Sequence, residues 1–343
     1  MSKIYEALRQ AELDRSKLGP VESEASSDDQ GGSQAVLENG PGPTHIPAFS
    51  NTGRALATLT PVAKPSGARA PVGTSADLKI AALGDAGEGF EITDAELAQV
   101  RQITWHPSLS QLPALDDRGS AVEQFRSLRS RMQEFRDLNA LKSILVSSGL
   151  PQEGKSFITA NLAISFARHK AGRVLLIDGD MRRATLHKLL GCPQGPGLTE
   201  FLSGTASILD VMQRPKPDEP SHPLPHGLAS LTFIAAGMEH DKAADLSGNH
   251  RFDRLIAAAA PHFDWIVVDS SPVNLVSDGV NLARSCDAVL LVARGGVTKY
   301  EIAQRAVAEL KASKVLGFVL NAVKNPPIAG GYYGYDGYDK IEE

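Results

Sequence analysis

Between Val122 and Leu138 the apolar residues Val122, Phe125, Leu128, Met132, Phe135 and Leu138 step by three and four, which puts them on one face of a helix. Beyond them the period changes. The runs Ser143 to Ser148, Val174 to Asp178, Leu231 to Ala236, Trp265 to Asp269, Ala288 to Ala293 and Val315 to Leu320 have strand length, and most are nearly continuous Val, Ile and Leu. Strands covered on both faces read this way, because neither side needs to be polar. Helical patterns such as Ser156 to His169, His250 to Ala260 and Lys299 to Ala312 lie between the runs. Alternation of this kind predicts an α/β fold, a three-layer αβα domain with a mostly parallel central sheet and right-handed crossovers. The expected domain spans residues 103–325.

Upstream the pattern is different. Ile4, Leu8 and Ala11 recur at helical spacing among Lys3, Glu6, Arg9, Glu12 and Arg15, predicting a short amphipathic helix over residues 1–18. A helix this short is marginal alone, so it either frays or orders on a partner or the folded core. Residues 20–79 hold 7 Gly, 7 Pro and 7 Ser with Phe49 as the sole aromatic, too little apolar area to offset chain entropy, so residues 19–102 are expected to be a disordered linker. The Pro-rich stretch Gln213 to His226 reads as a surface loop insertion.

Composition narrows the function classes. With 35 Lys and Arg against 40 Asp and Glu, the net charge of −5 supplies no electrostatic reason to bind nucleic acid. Cys192 and Cys286 are too few for a disulfide framework or a Cys-rich metal site, and both read as packing thiols in a reducing compartment. No apolar run approaches the roughly 18 to 20 residues of a membrane span, and Met1 to Gln10 is too charged for a signal peptide, so a cytoplasmic location is expected.

The run Ser143 to Ser148 leads into Gly149, Leu150, Pro151, Gln152, Glu153, Gly154, Lys155 and Ser156, then a helical pattern. This is a complete G-x-x-x-x-G-K-[ST] phosphate loop (P-loop) in its required strand–loop–helix context. Glycines let backbone N–H groups turn inward around phosphate oxygens, and the helix N-terminus adds about half a positive charge. Lys155 then reaches the β- and γ-phosphates, and the Ser156 hydroxyl ligates Mg²⁺. Two more strand ends are acidic, Asp178 with Asp180 and Asp269. Ligands of open α/β sheets bind beyond the carboxyl ends of the strands, where these groups converge with the loop. Asp269 fits the position that holds the metal or its water, while Asp178 and Asp180 have two possible tasks, holding Mg²⁺ or accepting a proton. Each alone has a plainer reading, as a helix cap.

These motifs together resemble the bacterial tyrosine kinases, the cytoplasmic ATPase domains of capsule and exopolysaccharide co-polymerase systems, related to septum-placement and partition ATPases. The likeness runs roughly from Ile103 to Tyr338 and rests on Ser147 to Phe157 (SSGLPQEGKSF), Leu175 to Arg182 (LLIDGDMR), Trp265 to Pro272 (WIVVDSSP), an E-x-x-R-x-x-R of Glu123, Arg126 and Arg129, and a tyrosine tail. It implies an ATP- and Mg²⁺-dependent autokinase with Lys155, Asp178, Asp180 and Asp269 as catalytic groups. Gly149, Gln152, Glu153, Gly154, Lys155, Ser156, Phe157 and Arg182 are then expected around the nucleotide, with Asn321 facing the adenine and Arg182 either stabilising phosphate charge or pairing with a carboxylate. Ser156, Asp178, Asp180 and Asp269 would serve the metal, and Glu123, Arg126 and Arg129 a ring-forming subunit contact. The resemblance further implies a homo-oligomer, recruitment to the inner face of the membrane by a separate transmembrane chain-length regulator, and a cognate tyrosine phosphatase. Leu150 stands where partition ATPases carry a signature lysine, which disfavours a dimeric partition switch. Ala184 and Ser271 stand where the family usually has Pro; neither is expected to touch phosphate, and both read as backbone variations.

Of six tyrosines, Tyr332, Tyr333, Tyr335 and Tyr338 are interleaved with Gly330, Gly331, Gly334 and Gly337. Such a tail, residues 326–343, lacks the apolar neighbours that buried tyrosines have, so it reads either as a threadable phosphorylation substrate or as a sticky binding segment. From Asn321 to Tyr338 an extended chain covers on the order of 55 Å, enough to enter a neighbouring copy. Alternatives to the kinase are a non-kinase ATPase switch and a nucleotide-bound scaffold.

Overall fold

The computed structural model describes residues 91–170, 172–217, 224–238 and 243–324. The expected N-terminal helix, the linker as far as residue 90 and the tyrosine tail lie outside the described residues. The remainder of the expected linker is not a linker. Thr93 accepts a hydrogen bond from Glu96 N (3.2 Å) and its own N–H donates to Glu96 Oε2 (2.8 Å), a capping box that starts α1 (Asp94–Ala98). Ile92, Leu97 and Val100 are buried, and β1 (Arg101–Ile103) joins the sheet, so ordered structure begins at least twelve residues before the expected boundary of 103.

Helix α2 (Ser120–Asn139) buries the predicted stripe Val122, Phe125, Leu128 and Met132, while Leu138 at its end is exposed. Strand β2 (Ser143–Ser148) follows, then α3 (Lys155–Ala167), whose residues from Ile158 onward are all buried. A helix apolar on every side belongs inside a fold. Here α3 lies against β2, β3 (Val174–Asp178) and β6 (Trp265–Asp269), roofed by α2 and the turns at 109–115. Asn161 ties that roof down, accepting from Ala114 N at 3.0 Å and donating to Gln111 O at 3.2 Å.

Between β3 and β6 come α4 (Leu186–Leu190), α5 (Leu198–Ser203), α6 (Ile208–Val211), β4 (Met212–Pro215), β5 (Leu231–Ile234), α7 (Ala243–Ser247) and α8 (His250–Ala259). The chain continues through α9 (Asp278–Ala283), β7 (Ala288–Arg294), α10 (Tyr300–Glu309) and β8 (Val315–Asn321). Among the described residues eight strands are ordered β1-β4-β5-β3-β6-β2-β7-β8, and only the β4/β5 pairing is antiparallel. The stretch expected to be a loop from Gln213 therefore opens as a strand: Met212 and Gln213 pair with Ile234 and Phe233, extending the sheet edge for β1. Cys286 is buried and Cys192 partly so; both are free, and burial pushes the Cys192 thiol up to about 12. Among the described residues no helix is long and apolar enough to cross a membrane.

The centre of the sheet positions the site. β3, β6 and β2 are consecutive and parallel, so their carboxyl ends open at one edge. Their register pairs Asp178 with Asp269. Paired residues on neighbouring strands about 4.8 Å apart bring those two carboxylates side by side.

Candidate nucleotide site

The loop after β2 is held in shape from three sides. Ser148 Oγ donates to Leu150 O (2.7 Å), Leu150 N donates to Glu153 Oε2 (2.8 Å), and Asn321 Nδ2 donates to Glu153 O (3.0 Å). Buried Glu153 also accepts from the Thr298 hydroxyl, anchoring the loop to the segment after β7. Gln152 and Gly154 both have positive φ, +62° and +92°. A Cβ on Gly154 would come within 2.0 Å of Asn321 Nδ2, so only glycine passes there. Helix α3 then starts at Lys155 with no side-chain cap, which leaves its first-turn N–H groups facing the loop without intrahelical acceptors.

Lys155 Nζ pairs with Asp180 Oδ2 at 2.8 Å. Burial alone would favour the neutral amine, but Asp269, Asp180 and Asp178 outweigh it and hold Lys155 above its ordinary value. Asp269 Oδ1 accepts from Thr159 Oγ1 (3.2 Å), and the nearby Ser156 hydroxyl helps to lower this carboxylate's pKa. Burial raises Asp269 to about 6 against the pull of Lys155. Its Oδ2 is buried with no hydrogen-bond partner among the described residues. Asp178 stands well above the usual carboxylate range, chiefly from burial and then from Asp269. Its oxygens accept from Asp180 N (3.2 Å), Thr185 N (3.2 Å) and Leu186 N (3.1 Å). Asp178 thus does what the plainer reading of an acid after a strand describes, holding the backbone at the start of α4.

Other expected residues are distributed unevenly. Arg182 forms a two-point ion pair with fully buried Asp278, Nε to Oδ2 at 2.6 Å and Nη2 to Oδ1 at 3.3 Å. Phe157, expected beside the nucleotide, packs its ring on Phe125 of α2 with centroids 5.9 Å apart. The cause is helical geometry, since one residue past Ser156 turns a side chain about 100° around the axis. Glu123 and Arg126 pair with each other at the surface, and Arg126 Nη2 donates to Asp117 O at 3.0 Å. Arg129 is drawn inward, Nη1 donating to Ser165 O (3.0 Å) of α3, and burial with the nearby Arg126 charge lowers its pKa. With Arg168 and His169 these arginines line a groove of about 220 Å³.

Two residues with a part in the site escaped sequence reasoning. Thr159 stands one turn beyond Lys155 on the α3 face toward Asp269, a spacing of four that helical periodicity makes visible. Ser271, read from the sequence as a backbone variation, also has a side-chain contact: its hydroxyl donates to Asp180 Oδ1 at 2.8 Å.

No family model matches the chain. Among curated proteins it is 34% identical over 223 residues to the tyrosine-protein kinase CpsD of Streptococcus pneumoniae, covering 63% of this chain and 91% of that one. To the tyrosine-protein kinase Wzc of Salmonella typhimurium it is 30% identical over 223 residues, 64% of this chain but only 29% of Wzc. The first relatives it matches are thus spanned for well under a third of their length. Among solved structures, the kinase domain of the Escherichia coli tyrosine kinase Etk superposes with a TM-score of 0.58 at 26% identity, over 71% of this chain and 92% of that domain. A phosphate loop facing paired strand-end aspartates is shared by many ATPases; what narrows the class is agreement with CpsD along nearly all of that protein's length, and on that ground the chain belongs to the bacterial tyrosine-protein kinase family.

Proposed function

We propose that this chain transfers the γ-phosphoryl group of ATP to tyrosines of its own C-terminal cluster, Tyr332, Tyr333, Tyr335 and Tyr338, delivered from a neighbouring copy. The observation that carries the reading is Lys155 held 2.8 Å from Asp180 beside Asp269, at the open N-terminus of α3. Phosphoryl transfer asks for positioning and charge stabilisation more than for covalent help. The loop amides and Lys155 bind the phosphates, and Asn321, fastened to the loop, flanks the nucleotide.

The donor set fits Mg²⁺: a Ser156 hydroxyl next to a buried carboxylate whose Oδ2 is unpartnered. Ser156 and Asp269 would hold the ion, with Asp178 and Asp180 adding negative charge around it, and the ion when bound neutralises charge on the phosphates. Between the two possible bases Asp180 is favoured, because both oxygens of Asp178 are occupied by backbone N–H groups. Arg182 either turns toward phosphate or stays with Asp278.

In this reading Glu123, Arg126 and Arg129 form the contact between copies, a separate transmembrane chain-length regulator brings the chain to the inner face of the membrane in capsule or exopolysaccharide export, and a tyrosine phosphatase resets it. Residues 330–343 already carry a side-chain charge of −3. Each phosphotyrosine adds about −1.5 to −2, so phosphorylation expels the tail from an acidic site and loosens the assembly.

The test is mass spectrometry of the purified chain incubated with Mg-ATP, beside Lys155→Met and a chain ending at Gly330. Phosphate is expected on the tail tyrosines of the parent, reduced at least on the order of 100-fold in Lys155→Met. ATP hydrolysis with the four tyrosines bare would replace the kinase with an ATPase switch, and nucleotide binding without hydrolysis with a scaffold.

A further inference from the structure

We infer that Ser271 is a positioning residue for Asp180, keeping that carboxylate aimed once Lys155 has turned to the phosphates. This rests on the kinase reading above and adds a residue to it.

Ser271 lies two residues past Asp269, and its backbone is fixed there. Its carbonyl accepts from Ser147 Oγ at 2.9 Å and stands so near Gly279 that a Cβ on that glycine would be 2.6 Å away. From this fixed point its Oγ donates to Asp180 Oδ1 at 2.8 Å, with Ser271 1% and Asp180 3% exposed. The two carboxylate oxygens thereby differ. Oδ1 is fastened by Ser271 and by Arg183 N at 3.2 Å, whereas Oδ2 faces Lys155 Nζ at 2.8 Å.

When Lys155 moves to the γ-phosphate, Oδ2 becomes available in the direction the ammonium had occupied. The tyrosine oxygen then forms its bond to the γ-phosphorus, the bond from that phosphorus to the β–γ bridging oxygen breaks with its electron pair leaving on ADP, and the phenolic proton passes to Oδ2. Without the Ser271 hydroxyl, Oδ1 retains only the longer contact to Arg183 N, and the carboxylate is free to rotate about its Cβ–Cγ bond at the moment its direction matters. Alanine or proline at this position offers no donor to replace it.

The experiment compares the full chain with Ser271→Ala and Ser271→Thr, following initial rates of phosphotyrosine formation against Mg-ATP concentration and binding of a fluorescent ATP analogue. Ser271→Ala is expected to lose on the order of tenfold in kcat while KM for ATP and analogue affinity stay within about twofold, and Ser271→Thr to recover most of the rate. Analogue binding also reports that each variant is folded. An active parent matched in kcat by Ser271→Ala, or a Ser271→Ala loss that falls equally on nucleotide affinity, overturns this inference alone. A parent that makes no phosphotyrosine overturns the kinase reading and this inference together.

Discussion

At the carboxyl ends of β3 and β6, Asp178, Asp180 and Asp269 crowd around Lys155 with at most 3% exposure, while on α2 and α3 Arg126, Arg129 and Arg168 meet Glu123 and Asp117 near the surface. The excess charge has opposite sign in the two places, and so has the physical meaning. In the first, burial costs are left unmet: Asp269 stands at about 6 and Asp178 above the usual range. Folding alone gives no reason to assemble three buried acids around a single lysine, so the cluster points to a ligand that brings positive charge. In the second, Glu123 and Arg126 keep side-chain exposures of 64% and 40%, and such a pair contributes about 0–1 kcal/mol. Arg129 departs from ordinary surface behaviour, because its guanidinium is spent on the Ser165 carbonyl of the neighbouring helix, and so does Arg168, which donates to the Ala114 carbonyl at 2.7 Å.

The largest effect is expected for Asp269→Asn in the nucleotide-free chain with a chelator. The folded carboxyl sits near 6 against 3.8 when unperturbed, so the native state binds the extra proton in that window and the parent loses stability as pH rises from about 4 to 6. The stability of the Asp269→Asn variant relative to the parent should therefore climb by on the order of 3 kcal/mol across that interval and stay level above it, read as a gap in melting temperature. A gap that does not change with pH would make the acidic cluster electrostatically ordinary. Next comes Arg129→Ala, expected to cost about 1–2 kcal/mol in urea unfolding through the lost charge-assisted bond and the packing of its stem. The smallest effect on stability, within about 0.5 kcal/mol, is expected for Glu123→Ala. Sedimentation of that variant separates the two roles of the trio, since an unchanged oligomer size would reduce it to surface pairing.

The central strands were legible because each carries an uninterrupted apolar run, and the end of Trp265 to Asp269 could be read to the residue. The two strands at the β1 end of the sheet were not. Arg101–Ile103 and Met212–Pro215 are short and partly polar, and join the sheet through backbone pairing that leaves little trace in the order of side chains. Helix α1 had a visible signature in Thr93-x-x-Glu96, but the Gly- and Pro-rich composition upstream masked it. At the site, the loop motif led directly to Lys155 and Ser156, while Phe157 was carried along with its neighbours although helical rotation sends it to α2.

By itself the amino-acid order determined what depends on torsions and short-range period: strands covered on both faces, a helix with one apolar stripe, and a turn at Gly154 that only glycine can make. The tertiary structure alone decided that Asp178 stands in register with Asp269, that Asp180 meets Lys155, and that Ser271 reaches Asp180 across 91 positions of chain. Local sterics act within a few residues and can be read from neighbours, whereas the partner of a buried charge is chosen by strand order and crossovers, which place distant residues together with no mark on either side chain.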